Sequence, residues 1–333
     1  MKWHNSRLDT VRAEKARPAG HADYVGEICV GRNDHMSING KKNRITVKLR
    51  LAIAKCVELI GDIDDPNSVR YQLIDLTYND TIYRCFNEGL RLDTDNPKRP
   101  KAIVSLIHET FFASQLLAVR RLLDRGEDVH SLRKIFDIVN ANRSLYSREG
   151  FIFAKQERIS RNSSSWRQEA EKDFMHKLYD SVSNKRPDTR NDEDGLWMPH
   201  LEAIGKFLDK PSLIHKYTDS FIAHAIKGKK HRLSVKDLEK VNLGNLQRLY
   251  QTISWLCYTL SRYIGELILF EVPTVTFDQF EGWSGSFYAG SHDRHLTNYW
   301  NKRTSLVRSW QERYWDLDKF YLSPRKEFFL VEE

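Results

Sequence analysis

Two long runs at helical spacing, Ser68 to Leu92 and Lys101 to Arg125, are separated only by a Pro97 to Pro100 turn, and they constrain the fold more than any other feature of the chain. The first follows Asp65-Pro66-Asn67, a helix-start signal, and carries Leu73, Leu76, Ile82 and Phe86 on one face. The second holds Ile103, Ile107, Phe111, Phe112, Leu116, Leu117 and Leu122. Apolar residues cover so much of its surface that it reads as a central helix, buried on several sides.

The rest of the chain extends this pattern. Thr46 to Ile60 (TVKLRLAIAKCVELI) starts ambiguously, but its Ala and Leu content carries it to helix. Gly126-Glu127-Asp128 ends the second long run, and His130 to Tyr146 follows as a shorter helix. Glu157 to Ser183 is a polar helix with a Ser-rich turn at Ser163 to Ser165, and Asn184 to Gly195 a charged loop. Pro199 to Leu208 makes a short helix, and Pro211 opens the next, where proline is favoured early. Ser234 and Asp237 match a capping pattern before a long helix expected to reach Phe270, with Pro273 as its stop. Trp300, Arg303, Val307, Trp310 and Tyr314 fall at helical spacings and predict a last helix packed on the bundle, its aromatics serving the core rather than stacking on bases. Only 9 Pro and 16 Gly among 333 residues disfavour a turn-rich β architecture. The fold class is therefore all-α, with a polar, basic arm over residues 1–44, a helical bundle over 45–270, and an aromatic-rich extension over 271–333.

A formal net charge of +8 makes nucleic acid the first candidate among anionic partners, although the charge reads as spread along the chain. Cys29, Cys56, Cys85 and Cys257 are far apart and form no CxxC pair, so they read as reduced thiols of a cytoplasmic protein. The N-terminal residues lack the apolar segment of a secretory signal. Thr252 to Val272, taken as the most apolar stretch, carries Arg262, Glu266 and Glu271 and makes a poor membrane span, so no membrane association is expected.

Motifs for metal, nucleotide or hydrolase chemistry are missing: no HExxH, Cys/His quartet, Walker loop, GxGxxG or GxSxG occurs. Neither metal nor cofactor is expected. His292 and His295, with Asp293 between them, lie in a stretch that reads as a loop and make a weak metal candidate. What stands out is KYTDSFIAHA, Lys216 to Ala225. It reads as a helix that places His224 between Ala223 and Ala225, small enough to let a ligand or another backbone approach the imidazole. Lys227, Lys229, Lys230, His231 and Arg232 follow around Gly228, and a titratable ring beside a cationic cluster suits phosphodiester chemistry or phosphate binding. Against this stands the plainer reading of a hydrogen-bonded histidine and a solvated basic loop.

KYTDSFIAHA, the basic turn and LSVKDLEKVN before a long helix resemble the HEPN superfamily, and within it the abortive-infection AbiU-like branch. LLAVRRLLDRGEDVHSLRKIF resembles the same branch, and together the likeness spans roughly residues 68 to 270. The resemblance implies metal-independent RNA cleavage, with the histidine as general acid or base, an arginine neutralising the phosphate, and two protomers pairing as a homodimer. It also implies a role in bacterial defence or a toxin–antitoxin pair, with an antitoxin or defence protein as partner. The chain departs from the motif at the arginine. The places where it would stand hold Tyr217, Thr218 and Asp219, while Lys216 lies just outside, about 80° round the helix from His224. Lys lacks the planar fork of Arg. Arg125 and His130 match the spacing literally, but Gly-Glu-Asp between them marks a loop. Arg120 and Asp124, at i and i+4, either pair with each other or line the cleft of His224.

Three readings follow. In the first, His224 is the central residue of an RNA-acting site, supported by Lys216, Asp219 and Arg120, with Lys227, Lys229, Lys230 and Arg232 on the nucleic acid. In the second the His224 helix is a non-catalytic binding or dimerisation element, Ala223 and Ala225 permitting close approach. In the third the basic arm and Lys227 to Arg232 bind nucleic acid without chemistry.

Overall fold

The computed structural model describes residues 38–93, 100–156, 165–209, 242–274, 279–280, 283 and 292–312. Among these residues the protein is all-α. Nine α-helices run α1 (Ile38–Ile60), α2 (Val69–Leu92), α3 (Lys101–Leu122), α4 (Leu132–Ala141), α5 (Arg148–Gln156), α6 (Ser165–Ser183), α7 (Met198–Asp209), α8 (Leu243–Ile264) and α9 (Asp293–Glu312), and no strand is present. Helix α1 begins six residues before the expected end of the N-terminal arm. Gly61 closes it in the left-handed region (φ 61°), where an added Cβ would lie 2.6 Å from Ser68 Cβ. Ser68 then caps α2, its hydroxyl accepting from Tyr71 N and donating to the Asp62 carbonyl at 2.6 Å.

The central helix is α8, not α3. Every residue from Thr252 to Ile264 is buried, and α8 packs against α1, α4, α6 and α9. A helix buried on every side lies in the core, and two of its buried hydroxyls bond within the helix: Ser261 Oγ donates to the Cys257 carbonyl at 2.8 Å and Thr252 Oγ1 to the Arg248 carbonyl at 3.1 Å. Helix α3 instead packs on α2 and leaves Ile103, Leu106 and Leu117 exposed. By length and apolar composition alone it is sufficient to cross a membrane, so among the described helices the stretch that passes this test is α3 and not Thr252–Val272, taken from the sequence as the most apolar.

That stretch is not one helix. Gly265 (φ 62°) ends α8, and residues 267–274 run non-helically with Ile268, Phe270 and Val272 buried and Leu267 and Glu271 outward. Thr77 Oγ1 donates to the Glu271 carbonyl and Trp300 Nε1 to the Pro273 carbonyl, so the segment is tied down across α2 and α9. Helix α9 forms as its spacing predicts, burying Trp300, Arg303, Val307 and Trp310 against α2 and α8. Helix α5, which the sequence pattern did not single out, buries Phe151, Ile152 and Ala154 against α1 and α6. The charged loop after α6 is less solvated than its composition suggests. Arg148, 1% exposed, pairs with Asp180 at 2.7 Å and Asp194 at 3.1 Å, and Arg190 closes on Asp180 at 2.6 Å. The Arg148 guanidinium also lies over the Tyr179 ring.

Candidate functional site

His224, Lys216, Asp219, Lys227, Lys229, Lys230 and Arg232 lie outside the described residues, as do Ser234, Asp237 and Tyr314. The two ends of the 210–241 segment that carries His224 are described, and each is fixed by arginine.

The chain leaves the bundle at Asp209, the last residue of α7. Arg133 of α4 donates Nη1 to Asp209 Oδ1 at 2.7 Å and Nε to both Asp137 oxygens, so a guanidinium buried at 6% exposure is satisfied by two carboxylates. Arg125, from the loop after α3, also reaches Asp209 Oδ1. The hydrogen bond from Arg133, reinforced by the charges of Arg133 and Arg125, holds the Asp209 carboxyl below its ordinary range. Asp209 and Arg125 are more than half exposed, so their own pair adds little stability. It sets position instead.

The chain returns at Asn242, whose side chain caps α8 by accepting from Asn245 N at 3.0 Å. Arg84 of α2 donates to the Leu243 carbonyl at 3.1 Å and grips Asp80 with its Nε at 2.8 and 2.9 Å. Asp80, 2% exposed, takes Arg303 of α9 at 2.8 Å. Arg303 also reaches Gln247 of α8 at 3.0 Å and lies over the Trp310 ring, while its burial pulls the guanidinium below its ordinary range. The start of α8 is thus locked to α2 and α9 by a buried ionic ladder.

Arg120 is half-buried in the last turn of α3, and its neighbour Arg121 donates to Asn67 Oδ1 at 2.7 Å. Cations suit this end of the helix because the backbone carbonyls there are unsatisfied. The helix stops at Leu122, so Asp124 is not on a helical face with Arg120. Asp124 Oδ1 accepts from Gly126 N, and its carbonyl accepts from Ser131 Oγ. The Arg125–His130 interval is non-helical, in keeping with its Gly-Glu-Asp sequence.

His200, His108 and His295 each bond a neighbouring helix. His200 of α7 is buried against Tyr263 of α8, Nδ1 to hydroxyl 2.7 Å, and burial with the nearby Arg262 charge pushes its pKa down to about 3. It is neutral at physiological pH and no general acid there. His108 shares a hydrogen bond with the Tyr83 hydroxyl, and burial lowers its pKa. His295 is helical rather than in a loop, with Nε2 2.9 Å from Glu88 Oε1; the Arg91 hydrogen bond, with His295 adding to it, holds Glu88 at about 2. Among the described residues no group of three or more His, Cys, Asp or Glu could hold a metal ion. Cys56, Cys85 and Cys257 are buried free thiols, each pushed up by desolvation and so far from the reactive thiolate form.

The sequence shows one further property of the segment between the two clamps. Residues 210–241 hold eight Lys/Arg against three Asp/Glu, a local excess that the reading of evenly spread charge missed. The Asp209 and Leu243 anchors left no signal in the sequence, since their partners are 76, 84 and 159 residues away. No family model, no characterised protein and no solved structure matches the chain.

Proposed function

We propose that the protein is an RNA-acting helical protein of HEPN-like type, serving bacterial defence or a toxin–antitoxin pair, in which the 210–241 segment is the RNA-facing element and His224 its general acid or base. One observation carries this reading: the 210–241 segment holds eight Lys/Arg along with His224, and its two ends are held to the bundle by arginines, Arg133 pairing with Asp209 and Arg84 donating to the Leu243 carbonyl. Such a segment offers phosphates a concentrated positive field from fixed points of attachment. In a cleavage step His224 takes the proton of the ribose 2′-hydroxyl, that oxygen attacks the adjacent phosphorus, and the P–O5′ bond breaks as the 5′-oxygen takes a proton from solvent water, giving a 2′,3′-cyclic phosphate. With Thr218 at the arginine position, Lys216 and Arg120 are the cations assigned to the phosphate and Asp219 a polar support, while Lys227, Lys229, Lys230 and Arg232 track the backbone. The test is incubation of wild type and His224→Ala with mixed RNA in EDTA. Cleavage by wild type alone, with cyclic-phosphate ends and equal RNA binding by both, is expected. Absence of RNA binding by wild type refutes the reading.

A second reading, a helical dimerisation module, is favoured by α3. Ile103, Leu106, Thr110, Ala113 and Leu117 recur at alternating three- and four-residue steps, and Ile103, Leu106 and Leu117 are 49%, 62% and 41% exposed. Leu106→Glu converting a dimer to a monomer in sedimentation, with RNA binding unchanged, would support it.

A further inference from the structure

The net charge is carried by two segments. Residues 210–241 are one; α1 is the other, with six Lys/Arg against a single Glu. The remaining 278 residues hold 39 Lys/Arg and 41 Asp/Glu, so outside these two segments the chain carries no positive excess. Helix α1 uses its apolar side in the core, where Leu49, Ile53, Cys56 and Ile60 are buried. Arg44, Lys48, Leu51 and Lys55 stand on the opposite side at steps of four, three and four residues, all exposed. On a regular helix these four fall within about 60° of arc. Arg44, Lys48 and Lys55 make no ion pair or hydrogen bond among the described residues. Their contrast with Arg84, Arg133, Arg148 and Arg303, each matched by a carboxylate within 3.1 Å, is complete.

We infer that this face of α1 is a second RNA-backbone contact, a row of cations that binds phosphates without reading bases. The inference rests on the RNA reading above and assigns it a site on the rigid bundle. Successive row positions rise by about 6 Å (Arg44 to Lys48) and about 10 Å (Lys48 to Lys55), within reach of successive phosphates for side chains this long. RNA fits better than an anionic membrane because an interfacial helix inserts a broad apolar face. Here that face is already buried in the core, leaving Ile45, Val47 and Leu51 as the exposed large apolar side chains of α1. Cations aligned along one helix face are the footprint of backbone binding.

The experiment is fluorescence anisotropy of the full chain with a labelled single-stranded RNA, 2′-O-methylated so that no cleavage intervenes, across a salt series. The proteins are wild type, Arg44→Gln/Lys48→Gln/Lys55→Gln, Arg44→Lys, and Lys229→Gln/Lys230→Gln, with thermal melts to confirm folding. Loss of three phosphate contacts lowers the slope of log affinity against log salt by about 2, so the affinity ratio between about 50 and 200 mM salt shrinks about twentyfold. Arg44→Lys keeps the slope of wild type. An unchanged slope in the triple variant, with weakened binding in Lys229→Gln/Lys230→Gln, overturns the α1 contact and leaves the RNA reading standing. No binding by wild type even at low salt overturns both. Loss of binding to phosphatidylserine vesicles, with RNA binding intact, overturns the choice of RNA.

Discussion

Replacing Asp80 with Asn should unlock the ladder at the start of α8. Asp80 is 2% exposed and its carboxylate is the shared counter-charge of Arg84 and Arg303, whose side chains are 10% and 5% exposed. Asn keeps the shape and one acceptor oxygen but removes the charge, so the Arg303 guanidinium remains in the core with Gln247 and the Trp310 ring and no anion. Breaking a buried pair from one side costs about 3–5 kcal/mol, chiefly the stranded charge; the retained acceptor puts Asp80→Asn at the low end, about 3 kcal/mol. With a urea m-value of about 2–3 kcal/mol/M the unfolding midpoint falls by about 1–1.5 M. Adding Arg303→Met removes the stranded cation and fills its space, so the double variant should recover about 2 kcal/mol relative to the sum of the single changes. Urea titration of the four proteins closes the cycle. A midpoint for Asp80→Asn within about 0.3 M of wild type, or single effects that add within about 0.5 kcal/mol, would refute the reasoning.

Two more perturbations follow from buried groups. His200 has a folded pKa near 3 against about 6.5 unfolded, so the unfolded chain binds the extra proton between these values. Its contribution is complete above pH 6.5 and falls by about 2 kcal/mol on acidification to pH 5; His200→Asn should lack that decline when urea midpoints at pH 7.5 and 5 are compared. Gly265→Ala forces a left-handed alanine whose Cβ would lie 2.6 Å from Lys155 Cε, in a lysine that pairs with Glu266 at 2.9 Å. The backbone cost of about 1–2 kcal/mol, with displacement of that lysine, should lower the melting temperature by about 2 °C or more.

The sequence carried the periodic information well and the long-range information poorly. Helices α2 and α9 could be read because their apolar steps match the helical period and because Ser68 or a tryptophan row marks them. The exchange of roles between α3 and α8 could not, because a helix apolar all round looks the same whether it is central or lies on the outside with one face bare. Helix α8 was overextended because Leu267 to Phe270 continues its apolar character, while the stop depends on the positive φ of Gly265. The longer rungs of the ionic ladders, Arg148 to Asp194 and Arg303 to Asp80, join residues 46 and 223 positions apart and have no local pattern to find. At the candidate site, the residue types of the 210–241 segment were legible, and what anchors its ends was not.

The division of the cations bears on function more than any single motif. A cation kept for folding is matched by a carboxylate and adds nothing to the distant field; an unmatched one adds to it and is stabilised only by a partner. Arg84, Arg133, Arg148, Arg303 and Lys155 belong to the first kind, each at most 10% exposed and paired, and substituting any of them should cost stability before it affects binding. Arg44, Lys48 and Lys55 belong to the second, and neutralising them should leave the fold at least as stable, since it relieves mutual repulsion along one helix face. A cation row that weakens its own helix slightly and matches no carboxylate among the described residues is accounted for by a polyanion that neutralises it on binding. Thermal melts of the α1 triple variant without RNA check this directly: a melting temperature equal to or above that of wild type is expected, and a clear decrease would place these residues with the folding cations instead.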